Sequence, residues 1–204
     1  LGAVDLAPVE IAQMYQSLAS GGHRAPLRTI RWIADSDDRP LARYPLRSQL
    51  ALDPSGVFLL NRALQEVVRS GTARALAQEF PKSLALAGKT GTTDGYRDSW
   101  FVGYAGNILA VVWLGLDNNE PTGLTGASGA LKVWARLMRQ LPLRPVQLYQ
   151  PKNITWVRSA PSLVDAPCTV GDAMPFVIGT QPAGMHSCSP SQVSAKEKTK
   201  SSRW

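Results

Sequence analysis

The residues whose types and spacing suit chemistry lie in Ala87-Gly88-Lys89-Thr90-Gly91-Thr92-Thr93, followed closely by Asp98-Ser99-Trp100-Phe101-Val102-Gly103-Tyr104. Lys89 offers a compact cation, Thr90 and Thr92 offer hydroxyl donors, and Gly91 removes the side chain that would hold a ligand's backbone at a distance. A strand of this composition can pair with an extended peptide through main-chain hydrogen bonds while its side chains hold a carboxylate. The Thr92 N–H can serve as an additional donor to an oxyanion in acyl transfer. Gly-Lys-Thr alone also arises in surface turns, and it matches the last three positions of a phosphate-binding loop. That loop requires a glycine where Ser83 stands and a helix directly afterwards, whereas Thr93-Asp94-Gly95 reads as a turn.

The elements that must position these groups follow from apolar periodicity. Leu84-Ala85-Leu86-Ala87 leads into the motif as a strand, Asp94-Gly95-Tyr96-Arg97 forms a turn, and Trp100 to Tyr104 returns as a second strand. A third strand, Ile108 to Leu116, follows the short Ala105-Gly106-Asn107 connection, so the motif is expected on an antiparallel sheet. Pro8 suits a first-turn position of a helix whose apolar face is Ile11, Met14, Tyr15 and Leu18, ending at Gly21-Gly22. Residues 27 to 50 read as a hairpin around Asp35-Ser36-Asp37-Asp38; with the acids in one turn and no histidine nearby, a solvated loop is favoured over a metal site. A second helix starts at Asp53-Pro54 with Val57, Leu60, Leu64 and Val67 inward, and Gly71-Thr72-Ala73-Arg74 opens a short one. A long helix from about Thr125 presents Leu131, Trp134, Met138 and Leu141 to a core. The fold class expected is α/β (α+β), with helices packed over an antiparallel sheet.

Taken together, Lys89-Thr90-Gly91-Thr92-Thr93, Asp98-x-Trp100-Phe101-x-Gly103 and Gly126-Ala127-Ser128-Gly129-Ala130 resemble the transpeptidase domain of class A penicillin-binding proteins, whose fold is shared with serine β-lactamases. Leu6-Ala7-Pro8-Val9-Glu10-Ile11-Ala12-Gln13, Ala19-Ser20-Gly21-Gly22-His23-Arg24-Ala25-Pro26 and Asp117-Asn118-Asn119-Glu120-Pro121-Thr122 are similar to the bifunctional 1b type, and the resemblance runs over about residues 1 to 150. It implies catalytic roles for Lys89 and Thr92 and substrate binding by Thr90, Gly91, Thr92 and Thr93. The expected ligands are peptidoglycan stem peptides and β-lactams, with no cofactor and no metal. The family's S-x-x-K and S-x-N motifs are absent from the sequence, so the chain holds no nucleophile and no acyl-enzyme can form on it alone. It opens at Leu1 without Met, and the expectation is a C-terminal fragment that needs the missing N-terminal half of the same domain. The resemblance also places a glycosyltransferase domain and a membrane anchor upstream, on the periplasmic side of the inner membrane, and leaves a homodimer and periplasmic activators open. The alternatives are a D,D-carboxypeptidase or β-lactamase, which gives the acyl group to water, and a non-enzymatic β-lactam-binding module.

The remaining composition is that of a globular protein: 204 residues, 44% hydrophobic and 18% charged. The longest apolar run, Ile108 to Leu116, falls short of the roughly 20 residues of a membrane helix. Eight of the 15 prolines lie in residues 142–204, which sets a boundary near Pro142 to Pro151. The domains expected are therefore 1–141, the transpeptidase part; 142–193, a proline-rich appendage with short strands at Asn153 to Val157 and Pro175 to Gly179; and 194–204, a basic tail. Cys168 and Cys188 either pair as a disulfide or remain reduced thiols; the periplasmic compartment implied by the resemblance favours the disulfide. The tail carries Lys196, Lys198, Lys200 and Arg203 against Glu197 and reads as solvated rather than bound to anionic lipid or wall polymer. Nucleic acid is not an expected partner, because only the terminal Trp204 accompanies those basic residues.

Overall fold

The computed structural model describes residues 6–158, 173–182 and 187–188. Two compact units are present, Leu1–Tyr149 and Gln150–Trp204. The first begins with helix α1 (Pro8–Ala19), which starts where Pro8 needs no N–H and where the Glu10 carboxylate accepts the Ala7 N–H at 2.7 Å. Its polar side holds the next segment: Gln13 donates to Ala25 O and accepts the Leu27 N–H, while Gln16 accepts the Ala25 N–H. Strands β1 (His23–Arg24) and β4 (Gln49–Leu50) pair with each other and enclose the antiparallel hairpin of β2 (Trp32–Ala34) and β3 (Pro40–Arg43). Asp35 closes that hairpin by accepting the N–H groups of Asp37 and Arg39.

Helix α2 (Pro54–Arg69) is capped by Asp53, which accepts the Gly56 N–H at 2.8 Å. Its buried face is Val57, Asn61, Leu64 and Val68, at the i, i+4, i+7, i+11 spacing of one helical stripe. Leu60, expected inward, is 44% exposed, and Met14 of α1 is also exposed. Both were read into a stripe that skipped polar residues, yet Asn61 is buried and satisfied. Its amide donates to Leu18 O and Val57 O and its oxygen accepts the Tyr104 hydroxyl, tying α1, α2 and the central sheet together. Burial, with Tyr15 nearby as a lesser cause, pushes the Tyr104 hydroxyl well above the ordinary tyrosine range.

After α2 the expected helix at 71–74 is a turn, and the helical segment is α3 (Leu76–Glu79). The expected strand at 84–87 is instead a 3₁₀ turn, Lys82–Leu84, followed by Ala85 at positive φ; the strand starts two residues later. The central sheet has the order β5 (Ala87–Thr92), β6 (Ser99–Tyr104), β7 (Leu109–Leu114), antiparallel throughout. Helix α4 (Ala130–Met138) covers one face. Thr125 and Ser128 bond each other's N–H and hydroxyl groups as a reciprocal cap and the Gly129 N–H donates to Thr125 O, so a first turn forms where the helix start is expected; Gly129, at φ −108° and ψ −92°, interrupts it, and the regular helix begins at Ala130. Against α4, Phe101 and Ala105 meet Leu131, Trp134, Ala135 and Met138, all buried. The opposite face packs Ala87 and Tyr104 on Leu18, Val57 and Leu64 of α1 and α2. The architecture is the α/β arrangement expected, helices on an antiparallel sheet.

The second unit is a separate antiparallel sheet of order β10-β8-β9, from β8 (Ile154–Arg158), β9 (Ala173–Val177) and β10 (Ser187–Cys188). The first two lie within two residues of the strands expected there. Cys168, the side chain of Cys188 and the tail 194–204 lie outside the described residues.

Candidate functional site

Strand β5 stands at the edge of its sheet. Beyond its end, the Thr93 N–H donates to Asp98 O. Antiparallel pairing alternates, so Gly91, Lys89 and Ala87 exchange main-chain bonds with Trp100, Val102 and Tyr104. The N–H and C=O groups of Gly88, Thr90 and Thr92 therefore point out of the sheet at its open edge. An extended chain laid alongside would meet the outward N–H and C=O groups of three residues, of which Thr90 O already accepts from Lys89.

The side chains are set by the same alternation. Lys89 is exposed and lies on the face of Val102, and its Nζ turns back to the edge, donating to Thr90 O at 2.7 Å. Thr90 and Thr92 stand on the other face. The Thr92 Oγ1 accepts the Gly126 N–H at 2.9 Å, and the Thr90 Oγ1 lies 2.7 Å from the Thr72 Oγ1. Lys89 and the two threonines thus leave the strand on opposite faces, and the Lys89 ammonium reaches the edge at Thr90 O. Gly126 is glycine for a packing reason: a Cβ there would sit 2.6 Å from both Gly91 O and Trp100 O.

Thr93 lies past the end of β5, and its hydroxyl is engaged within the turn. It donates to the Asp98 Oδ2 at 2.9 Å and accepts the Asp98 N–H at 2.8 Å, while the Asp98 Oδ1 accepts the Trp113 Nε1–H at 2.9 Å. Asp98 thereby fixes the end of β5 to β7 through two side chains. The loop before α4 is tied to the same end. Thr122 bonds Tyr96 O through both its N–H and its hydroxyl, and Arg97 donates to Asn119 O. The buried Ser99 donates to Thr125 O and accepts the Ala130 N–H.

Sequence reasoning located Lys89, Thr90, Gly91, Thr92 and Thr93, and the structure brings all but Thr93 to the open edge. The sequence pattern assigns Thr72 to a helix opening and gives Asp98 and Ser99 no role of their own. The signal for Thr72 was a hydroxyl between two small residues, Gly71 and Ala73, directly upstream of the strand. Chemically, the edge presents an ammonium, two hydroxyls whose oxygens already face a donor or a second hydroxyl, and outward amides: a receptor for an anion at the end of an extended chain. Among the described residues there is no cluster of histidine, cysteine or carboxylate side chains that could hold a metal ion.

Comparison with known proteins places this geometry in context. Residues 1–140 match the family model described as penicillin binding protein transpeptidase domain. Penicillin-binding protein 1B of Vibrio cholerae is 44% identical over 155 residues, covering 76% of this chain and 20% of that protein. Penicillin-binding protein 1B of Escherichia coli K12 is 40% identical over 154 residues, covering 76% and 18%. The chain thus spans about a fifth of the length of the curated relatives it matches. The crystal structure of penicillin-binding protein 1A from Haemophilus influenzae shares the fold, with a TM-score of 0.76 at 23% identity over 89% of this chain and 33% of that one. A match over residues 1–140, relatives at 40–44% identity and a shared fold agree, and the chain belongs to the penicillin-binding protein transpeptidase family.

Proposed function

We propose that this chain forms the carboxylate-binding wall of a peptidoglycan D,D-transpeptidase whose serine nucleophile lies outside its sequence. The observation that carries the reading is the open edge of β5, where the Lys89 ammonium sits on Thr90 O and the Thr90 and Thr92 hydroxyls flank the outward amides. In this reading a stem peptide lies antiparallel to β5 and its terminal carboxylate accepts hydrogen bonds from the Thr90 and Thr92 hydroxyls. Lys89 supplies positive charge beside them, and Gly91 lets the two backbones approach. The serine attacks the penultimate D-alanine carbonyl, the Thr92 N–H receives the developing oxyanion, D-alanine leaves, and an amine of a neighbouring strand takes the acyl group. β-Lactams enter by the same carboxylate. Thr93 contributes by holding the end of the strand through Asp98. The complete protein is further proposed to carry a glycosyltransferase domain and a membrane anchor, with its catalytic domains in the periplasm; among the described residues no helix is long and apolar enough to cross a membrane.

The test is acylation by fluorescent penicillin, read on a denaturing gel. The complete protein is expected to give a labelled band and the 204-residue chain none. In the complete protein Lys89→Ala is expected to slow labelling by about 10²-fold or more and Thr90→Val by about tenfold, with the thermal midpoint nearly unchanged. A labelled band from the 204-residue chain, or normal labelling by Lys89→Ala, would overturn the reading. Transfer of the acyl group to water alone, with no cross-linked product, would favour the carboxypeptidase alternative.

A further inference from the structure

The hydrogen-bond arithmetic of β5 points to a residue outside the strand. A hydroxyl has one proton and two lone pairs. The oxygen of Thr92 accepts from the Gly126 N–H, a group that can only donate, so the Thr92 proton remains for another acceptor. Thr90 has no N–H in that position. Its oxygen faces the Thr72 hydroxyl at 2.7 Å, where either oxygen can donate. If Thr90 gave its proton to Thr72, it would offer an incoming carboxylate only lone pairs, which a carboxylate oxygen cannot bond.

The placement of Thr72 is held on both sides. A Cβ on Gly71 would lie 2.8 Å from the Cα of Val67, so the chain leaves α2 in direct backbone contact with it. Ala73 is fully buried in the α4-side core, and its N–H donates to Val67 O. Thr72 between them is exposed and directed at β5. Tight packing on either side fixes where its hydroxyl can stand.

We propose that Thr72 is a positioning residue for the anion site: its hydroxyl donates to the Thr90 Oγ1 and so turns the Thr90 proton toward the ligand carboxylate. Thr72 does for Thr90 what the Gly126 N–H does for Thr92, and both hydroxyls of the strand then face an anion as donors. This deepens the function proposed above and rests on it.

The test uses the complete protein and a fluorescent penicillin, as the free acid and as its methyl ester. With the free acid, Thr72→Val is expected to acylate about tenfold more slowly and Thr72→Ser within about twofold of wild type. The ester carries no carboxylate for Thr90 to hold, so the Thr72→Val loss should disappear with it. The double variant Thr72→Val/Thr90→Val should be no slower than Thr90→Val alone, because the second residue acts through the first. Thr72→Ala serves the same comparisons if valine does not fit. Equal losses with acid and ester would reduce Thr72 to a folding role and overturn the inference, as would wild-type rates in Thr72→Val or losses that add in the double variant. Those results leave the functional reading standing; absence of labelling in the wild-type complete protein removes both.

Discussion

The α4 side of the central sheet and the segment from 27 to 50 carry similar apolar side chains and make opposite use of them. On the α4 side, Phe101, Leu131, Trp134 and Met138 are essentially inaccessible, and the Trp134 ring meets Phe101 edge-on at a centroid distance of 5.1 Å. In the segment 27–50, Trp32, Leu41 and Leu46 are 61%, 67% and 62% exposed. The difference lies in what each element faces. A helix set across a sheet gives two apolar surfaces that remove each other from water, while a two-stranded hairpin has nothing to close over it. Hydrophobic residues make a core only where a second layer meets them, and the Lys89–Thr92 strand belongs to the sheet that has one.

The largest break of this contrast is expected from Trp134→Ala. It removes the ring that fills the space between α4 and β6 and whose Nε1–H reaches both Gly103 O and Ala110 O at 3.2 Å. A loss of about 3–5 kcal/mol is expected in urea unfolding of the complete protein. Asn61→Ala on the other face should lose about 1–3 kcal/mol, because it strands the buried Tyr104 hydroxyl. The same tyrosine sets a pH dependence. Its folded-state pKa is raised, so the folded protein is favoured while it stays protonated. That contribution is whole below about pH 10, the ordinary tyrosine value, and is lost as pH rises beyond it. Alkaline unfolding monitored by tyrosinate absorbance should therefore begin above that point. The smallest effect is expected for Leu41→Ser in the 204-residue chain, under about 0.5 kcal/mol. A loss of more than about 2 kcal/mol for the same substitution in the complete protein would mean that another part of the molecule covers the hairpin there.

Much of the site was legible because a strand alternates with period two and its chemistry sits in five consecutive residues. Lys89 to Thr93 could be placed on an antiparallel sheet from the apolar runs and turns alone, and its family could be recognised from the motifs that follow. What escaped was decided by contacts distant in sequence. Asn61 was passed over because a polar residue on an apolar stripe looks like a break in it, when Leu18 O and Tyr104 satisfy it from elsewhere. Thr72 was assigned to a helix start, since nothing local reveals that residue 90 comes within hydrogen-bonding distance. The late start of α4 follows from Gly129, whose non-helical backbone separates the capped turn at Thr125 from the regular helix.

The lysine folded over the open edge of β5 has a further consequence, for solubility. An unpaired strand is a template on which another copy's strand can build, and proteins discourage such pairing by placing a charge there. Lys89, with its ammonium on Thr90 O, occupies the acceptor that a second strand would need and brings a charge that an apolar strand cannot accommodate. Another copy of β5 would have to bring two such charges together. The edge can stay unpaired without inviting its own kind.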